Sequence, residues 1–356
     1  MNRTERRRDL LLWYDANRRD LPWRRTADPY AVWISEIMLQ QTRVDTVVDY
    51  YRRFIERFPD VATLAAAGEE EVLALWSGLG YYRRARGLHR AARKVMAEHD
   101  GELPRDPRSL RTLPGVGRYT AGAVASIAFG LCEPILDGNV RRVLSRWLGL
   151  TGEAETPAAV DRRLWVEAAD LVEGPRPGDL NQALMELGAT VCTPREPGCR
   201  RCPVVSGCAA ATSGDPSAYP APRRRAATQR VRAAVAVVCR GARVLLERPG
   251  ADSPLPGTWD LPACALKPGE SAAEALVRTL ARRHDLEIGV EAAAARASHG
   301  IMNRRLELAI HAARVRRGRI AGKPGLRWVE RSDLGAVAIS GATLKALRGL
   351  QGRLIR

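Results

Sequence analysis

The chain has 356 residues, 46% of them hydrophobic, and its 57 Lys and Arg against 40 Asp and Glu give a formal net charge of +17. That length accommodates two ordinary domains with sizeable cores. The charged N-terminus lacks the apolar core of a signal peptide, and Glu5, Asp9 and Asp15 argue against an acidic-poor transit peptide. The longest non-polar-looking stretch, Ala121 to Cys132, is well short of the ~20 residues that span a bilayer. The expectation is therefore a soluble intracellular protein in a reducing compartment, with no membrane partner. The positive excess points to a polyanion, most simply nucleic acid. Solvated arginines of a base-rich proteome are the competing explanation, since lysine occurs only at Lys94, Lys267, Lys323 and Lys345.

Residues 1–210 read as mostly helical. Apolar residues recur at three- and four-residue spacing in Asp9–Ala16, Ala31–Phe58, Glu69–Trp76, Leu88–Glu98, Thr120–Phe129, Val140–Leu148 and Leu180–Val191. Residues 211–229 are rich in Pro, Ala and Ser, with a basic run at Arg223–Arg225, and read as a linker. From Arg230 the texture changes. Two Val-rich strands are joined by a turn at Gly241, a helix follows over Ser271–His284, and further strands are expected at Leu306–Arg314 and Leu326–Val329. The predicted architecture is a mainly α region over 1–210, a linker over 211–229, and an α+β domain over 230–356.

Within the first region, Glu36 lies in a nearly continuous apolar run, Val32 to Leu39. A buried carboxyl without a partner favours its protonated form, as a general acid requires. On the sequence alone, exposure on one face of an amphipathic helix is the favoured reading. Leu113-Pro-Gly-Val-Gly117 sits between two helical segments, and its glycines bare successive N–H groups ahead of a helix N-terminus, an arrangement that binds phosphate. An ordinary helix corner is the alternative, and the basic flanks favour the phosphate. Asp137, in Leu136-Asp-Gly-Asn-Val140, is either part of a plain turn or an ionised carboxylate at a helix mouth steadied by Asn139. Two carboxyls with opposite protonation needs suit cleavage of a glycosidic bond.

Four cysteines close this half: Cys192, Cys199, Cys202 and Cys208, spaced C-x6-C-x2-C-x5-C within 17 residues. Tetrathiolate sites hold zinc or an iron–sulfur cluster. Only Cys199-x2-Cys202 is a short knuckle, and the flanking ligands at longer reach favour a bulky cubane over a single ion. Disulfides would need an oxidising compartment that nothing in the chain indicates.

The LPGVG turn, an aspartate 20 residues beyond Gly117 and the cysteine loop together resemble the helix-hairpin-helix DNA glycosylases, relatives of endonuclease III. Within that group, Trp33-Ile-Ser-Glu-Ile-Met-Leu-Gln-Gln-Thr42, Gly78-Leu-Gly-Tyr-Tyr82 and Leu136–Val140 resemble adenine DNA glycosylases of the MutY type. The resemblance implies a bacterial, cytoplasmic, nucleoid-associated monomer. It would act on double-stranded DNA in which adenine is mispaired with 8-oxoguanine or guanine, flipping the adenine out of the duplex. It implies that Glu36 protonates adenine N7, that Asp137 stabilises the oxocarbenium-like sugar, that Asn139 orients Asp137 and that Tyr119 packs beside the scissile bond. Arg24 and Gln182 would frame the adenine, Gln41 and Leu79 would fill or wedge the vacated stack, and Thr42 and Tyr81 would lie near the lesion. Leu113, Gly115, Val116 and Gly117 would bind DNA phosphate, and the four cysteines would hold a [4Fe-4S] cluster, with Arg195, Arg200 and Arg201 offering phosphate contacts. Bifunctional relatives carry a Schiff-base lysine just after the hairpin, where this chain has Tyr119. A lyase needs an amine, so a monofunctional glycosylase is expected.

Residues 230–356 resemble the Nudix-like domain of the same family, through Leu255–Pro262 and Lys267-Pro-Gly-Glu270. The helix that should supply magnesium-binding glutamates reads Arg278-Thr-Leu-Ala-Arg-Arg283, so pyrophosphate hydrolysis is not expected. The resemblance implies recognition of 8-oxoguanine instead, with Ala297-Ser298-His299 matching a Phe-Ser-His loop whose aromatic is missing here.

Overall fold

The structure, a computed structural model, describes residues 2–151, 156–221, 227–249, 258–301, 303–323 and 325–350. The Arg223–Arg225 run and the Leu255–Gly257 part of the C-terminal motif lie outside the described residues. Two compact units emerge: Met1–Ala66 with Gly87–Arg224, and Ala67–Arg86 with Arg225–Arg356. The second unit includes Ala67–Arg86 from the helical half.

The first unit opens with α1 (Arg3–Asn17), whose capping box joins Asn2 and Glu5 reciprocally. Asp28 caps α2 (Pro29–Leu39) by accepting from the N–H groups of Tyr30 and Ala31. The apolar periodicity of Ala31–Phe58 is not one helix. Gln41 takes φ +58°, and the chain restarts as α3 (Val44–Arg57), followed by α4 (Val61–Ala66). After α5 (Glu69–Leu75) in the second unit come α6 (Tyr82–Glu98), α7 (Pro107–Leu110), α8 (Arg118–Ile127), α9 (Gly138–Leu148), α10 (Pro157–Val172), α11 (Pro177–Thr190) and α12 (Ala209–Thr212). Helix α10 was not among the predicted segments, although Val160, Leu164, Ala168 and Leu171 give it a buried stripe at helical spacing. That stripe joins Leu10, Leu144, Leu180, Leu184 and Leu187 in the core around α1, α9 and α11. This core fixes the N-termini of α8 and α9 relative to the middle of α11.

The second unit is built on a mixed sheet: β1 (Gln229–Arg240), β2 (Arg243–Glu247), β3 (Ala263–Ala265), β4 (Glu287–Ile301), β5 (Arg304–Arg317) and β6 (Leu326–Glu330). Strand order is β4-β5-β1-β2-β6, with β3 also pairing β1, and β1 runs parallel to β5. Strand β1 is central, and its two faces are both covered. Ala234, Ala236 and Val238 pack in the layer of α13 (Ala272–His284), while Ala233, Val235 and Val237 pack in the layer that holds Ile339 and Ala346. That double coverage explains the unbroken apolar run. The last element is α14 (Gly341–Leu350). Among the described residues, no helix is long and apolar enough to cross a membrane.

Candidate functional site

Every residue of α2 from Tyr30 to Met38 is buried, and Glu36 is 4% exposed. The expectation that Glu36 occupies a solvent-facing stripe is corrected, because this helix is packed all round. Burial pushes the Glu36 carboxyl up to about 7; the Tyr119 hydrogen bond works against burial, the charge of Asp137 adds to it, and Arg24 offsets it slightly. Tyr119, in the first turn of α8, donates its hydroxyl to Glu36 Oε2 at 2.6 Å and stands 3.2 Å from Met185 Sδ on α11. Burial and its acidic neighbours push Tyr119 well above the usual phenol range, so the hydroxyl stays protonated and donates.

Asp137 is the N-cap of α9. Its Oδ1 accepts from Val140 N–H at 2.6 Å, and its Oδ2 accepts from Asn139 Nδ2 at 3.1 Å. Burial raises its pKa against these two hydrogen bonds, which favour the charged form. The Asn139 amide is oriented at both ends, since its Oδ1 accepts from Arg142 at 2.8 Å, and the same guanidinium nitrogen also donates to the Gly188 carbonyl at 2.7 Å. Gly188 is backed directly against this pair: a Cβ there would lie 2.6 Å from the Cβ of Asn139.

Helix α11 contributes Gln182, Met185 and Glu186 at one-turn spacing. Gln182 is half-buried. Glu186 is fully buried and ionised: despite burial, hydrogen bonds from Arg19 and Arg24, at 2.7 and 2.8 Å, hold it at about 2. Arg24 is thus committed to Glu186, with its guanidinium also over the Tyr14 ring. Sequence reading missed Glu186 and Met185. The available signal was an acid inside an apolar helical segment, the same signal that marked Glu36.

Between α7 and α8, the side chains of Leu113 and Val116 are buried while Gly115, at φ +82°, and Gly117 are exposed. Gly117 is the N-cap of α8 with no side-chain cap, so this corner offers backbone N–H groups held by two apolar anchors. Near the end of α2, Gln40 donates to Thr120 Oγ1, whereas Gln41 is exposed and Thr42 Oγ1 turns back to the Gln40 carbonyl.

The four cysteines occupy one short loop after α11, and none is in a disulfide. Burial pushes the Cys202 thiol up to about 12, with Cys192, Cys208 and Cys199 each adding to the rise. The thiols are therefore close enough to feel one another's charge. Arg146, buried, donates to Cys192 Sγ at 3.2 Å and to the Thr193 carbonyl at 2.7 Å. Among the described residues, no three or more His, Cys, Asp or Glu side chains form a set that could hold a metal ion. The loop thus gathers four free thiols, with a buried guanidinium bonded to one of them.

The remaining expected residues belong to the second unit. Leu79 is buried, whereas Tyr81, at φ +51°, is 49% exposed with Arg84 stacked over its ring. Ser298 and His299 are not in a loop. They lie on β4, paired with Glu307 and Leu306 of β5, so they point to opposite sides of the sheet. Ser298 is exposed, while Ala297 packs on the apolar core and His299 is half-buried. Glu270 pairs with Arg278 and Glu247 with Arg283, so each of these acids faces an arginine, and His284 Nε2 stands 2.9 Å from Glu247.

Comparison with known proteins fits this geometry. The HhH-GPD superfamily base excision DNA repair protein family matches residues 34–169, which hold Glu36, Tyr119 and Asp137, and the NUDIX domain family matches residues 233–349. The two matched families thus define a helix-hairpin-helix fold of the base excision DNA repair superfamily with a C-terminal Nudix-like domain. Over 213 residues the chain is 54% identical to the adenine DNA glycosylase of Rattus norvegicus, covering 57% of this chain and 41% of that one. Over 225 residues it is 46% identical to the adenine DNA glycosylase of Mycolicibacterium smegmatis, covering 62% and 75%. A thermostable thymine-DNA glycosylase matches with a TM-score of 0.55 at 32% identity, over 59% of this chain and 97% of that one. The chain belongs to the adenine DNA glycosylase family. It spans 41% of the length of the rat relative.

Proposed function

We propose that the chain hydrolyses the N-glycosidic bond of adenine mispaired with 8-oxoguanine or guanine in duplex DNA, leaving an abasic site. The observation that carries this reading is the buried Glu36 carboxyl, raised to about 7, bonded to Tyr119 and coupled to Asp137. A carboxyl with that pKa retains much of its proton at neutral pH and can deliver it to adenine N7 in a flipped base. Protonation makes the purine a neutral leaving group. As the bond to C1′ breaks, positive charge builds on the sugar, and Asp137 faces it as carboxylate, favoured by the α9 N-terminus and Asn139. Water then adds to C1′ and gives up a proton to a carboxylate, which restores the acid. Tyr119 holds Glu36 in place, Gln182 frames the adenine, and Arg24 does so while anchored by Glu186.

Backbone N–H groups at Gly115 and Gly117, held by Leu113 and Val116, would grip phosphate beside the flipped nucleotide. Gln41, exposed in a left-handed conformation beside Thr42, is suited to fill the vacated stack, and Leu79 is assigned the wedging role. In the second unit, exposed Ser298 and neighbouring His299 and Tyr81 are proposed to contact the base opposite. Cys192, Cys199, Cys202 and Cys208 would hold a [4Fe-4S] cluster, which organises the loop after α11 rather than the hydrolysis. No lysine stands where Tyr119 does, and Lys94 reaches the Thr112 carbonyl instead, which supports hydrolysis without strand cutting. An intracellular, nucleoid-associated monomer completes the proposal.

The decisive test is purified protein on duplexes carrying A opposite 8-oxoguanine, G, C or T, followed by alkaline cleavage and borohydride trapping. Strand breaks after alkali for the first two, with little trapped adduct, are expected. Intact strands throughout would refute the activity, and abundant adduct would refute the monofunctional chemistry.

A further inference from the structure

Two side chains that flank the Gly78–Tyr81 turn converge on one distant carbonyl. Ser77 Oγ donates to the Ile339 oxygen at 2.7 Å, and the buried Tyr82 hydroxyl donates to the same oxygen at 2.6 Å. Two donors occupy both acceptor sites of that oxygen. The turn itself is braced: the Gly80 carbonyl accepts from the Trp76 indole at 3.1 Å and from Arg84 at 3.2 Å, and Leu79 N–H bonds to the Trp76 carbonyl at 3.0 Å.

The receiving segment is rigid. Ala338, Ile339 and Ser340 are essentially inaccessible. Trp259 N–H donates to the Ala338 carbonyl at 2.7 Å, and Thr343 ties Ser340 Oγ to Asp260 and Leu261. Two residues beyond Ile339, Gly341 lies against the His299 ring, where an added Cβ would be 3.0 Å from Cε1. Lys345, one turn further along α14, donates to the Ser298 carbonyl at 3.1 Å. A continuous path of short contacts therefore runs from the Leu79–Tyr81 turn through residues 339–345 to Ser298 and His299.

We infer that Ser77 and Tyr82 are positioning residues which lock the Leu79–Tyr81 turn to the strand carrying Ser298 and His299. Entry of the turn into the duplex and contact with the base opposite adenine then occur in a fixed register. This rests on the function proposed above. Tyr82 takes no part in the chemistry, since its hydroxyl is buried and spent on a carbonyl. Cutting the lock leaves Glu36 and Asp137 untouched but lets the turn and the strand move independently.

The test uses the full chain with Tyr82→Phe, Ser77→Ala and the double variant. One readout is amide deuterium exchange in 78–83 and 338–341. The other is the ratio of single-turnover adenine release opposite 8-oxoguanine to that opposite guanine. The double variant is expected to exchange about tenfold faster in both segments, with α2 and α9 unchanged, and to lose about five- to tenfold in the ratio. Ser77→Ala alone should show a smaller change of the same sign, and it serves as the deciding variant if the double one does not fold. Unchanged exchange at 338–341 together with a ratio within twofold of the parent overturns the coupling. If the parent releases no adenine from either duplex, the proposed function fails, and the exchange readout decides the coupling alone.

Discussion

Glu36 and Tyr119, 83 positions apart, meet through a hydrogen bond of 2.6 Å in which the phenol donates to Oε2. The bond stabilises the carboxylate form of Glu36, opposing the burial that favours the protonated form. Proton affinity at this position is therefore a balance of two large effects, and each can be removed separately.

Glu36→Gln keeps the size and buried packing of the side chain while removing its labile proton. Adenine release should fall by at least about a thousandfold, with duplex affinity retained. The same change should affect stability with pH. Glu36 sits at about 7 in the folded chain against an ordinary 4.5, so the folded state binds the proton more tightly. The stability it contributes is complete below about 4.5 and is lost as pH rises through about 7, a loss on the order of 3 kcal/mol. Thermal melts should show the variant matching the parent at pH 4.5 and exceeding it at pH 8.

Single-turnover adenine release in the parent should decline as pH rises through about 7, following loss of the Glu36 proton. Tyr119→Phe removes a bond that favours the carboxylate, so its alkaline limb should move to higher pH. A limb that stays in place, or moves down, contradicts the assignment of Glu36 as the titrating acid.

Asn139→Ala strips Asp137 of one of its hydrogen bonds and removes one acceptor from Arg142, which keeps its bonds to the Gly188 and Cys192 carbonyls. Hydrogen bonds to charged groups are worth about 1.5–3 kcal/mol, so a drop of about ten- to a hundredfold in the chemical step is expected. Equilibrium binding to an uncleavable duplex should change by less than about twofold. A large loss of affinity without a rate effect would assign Asn139 to DNA binding instead.

The cysteine loop makes a compositional prediction. Purified protein should be brown, with about four iron and four sulfide per chain and no zinc. Cys202→Ser should lose the colour and melt earlier, whereas Glu36→Gln should keep both. A colourless zinc protein would remove the cluster from the proposal.

Local pattern revealed most helices and strands because a buried stripe leaves a periodic trace, as in α9 and β1. It did not reveal which acids are buried. In α2 the apolar run is almost continuous, so periodicity gives Glu36 no face, and its burial depends on packing from every side. The ionised Glu186 escaped for a related reason, since its partners Arg19 and Arg24 lie more than 160 positions away. The assignment of Ala67–Arg86 to the second unit is equally non-local, resting on pairs such as Glu70 with Trp259 and Ser77 with Ile339. Ser298 and His299 read as a loop because Ala292–Ala295 give β4 no alternation to detect, and the ladder with β5 supplies what the side chains do not.

Gly188 carries none of the reactive groups, yet it sits where a single methyl would collide with Asn139. Replacing it with alanine would push that amide, and with it the orientation of Asp137, out of line while leaving every acid, phenol and thiol in the sequence intact. Natural variants at this codon would thus pass any inspection confined to chemically active side chains and still encode a chain with a misaligned Asp137.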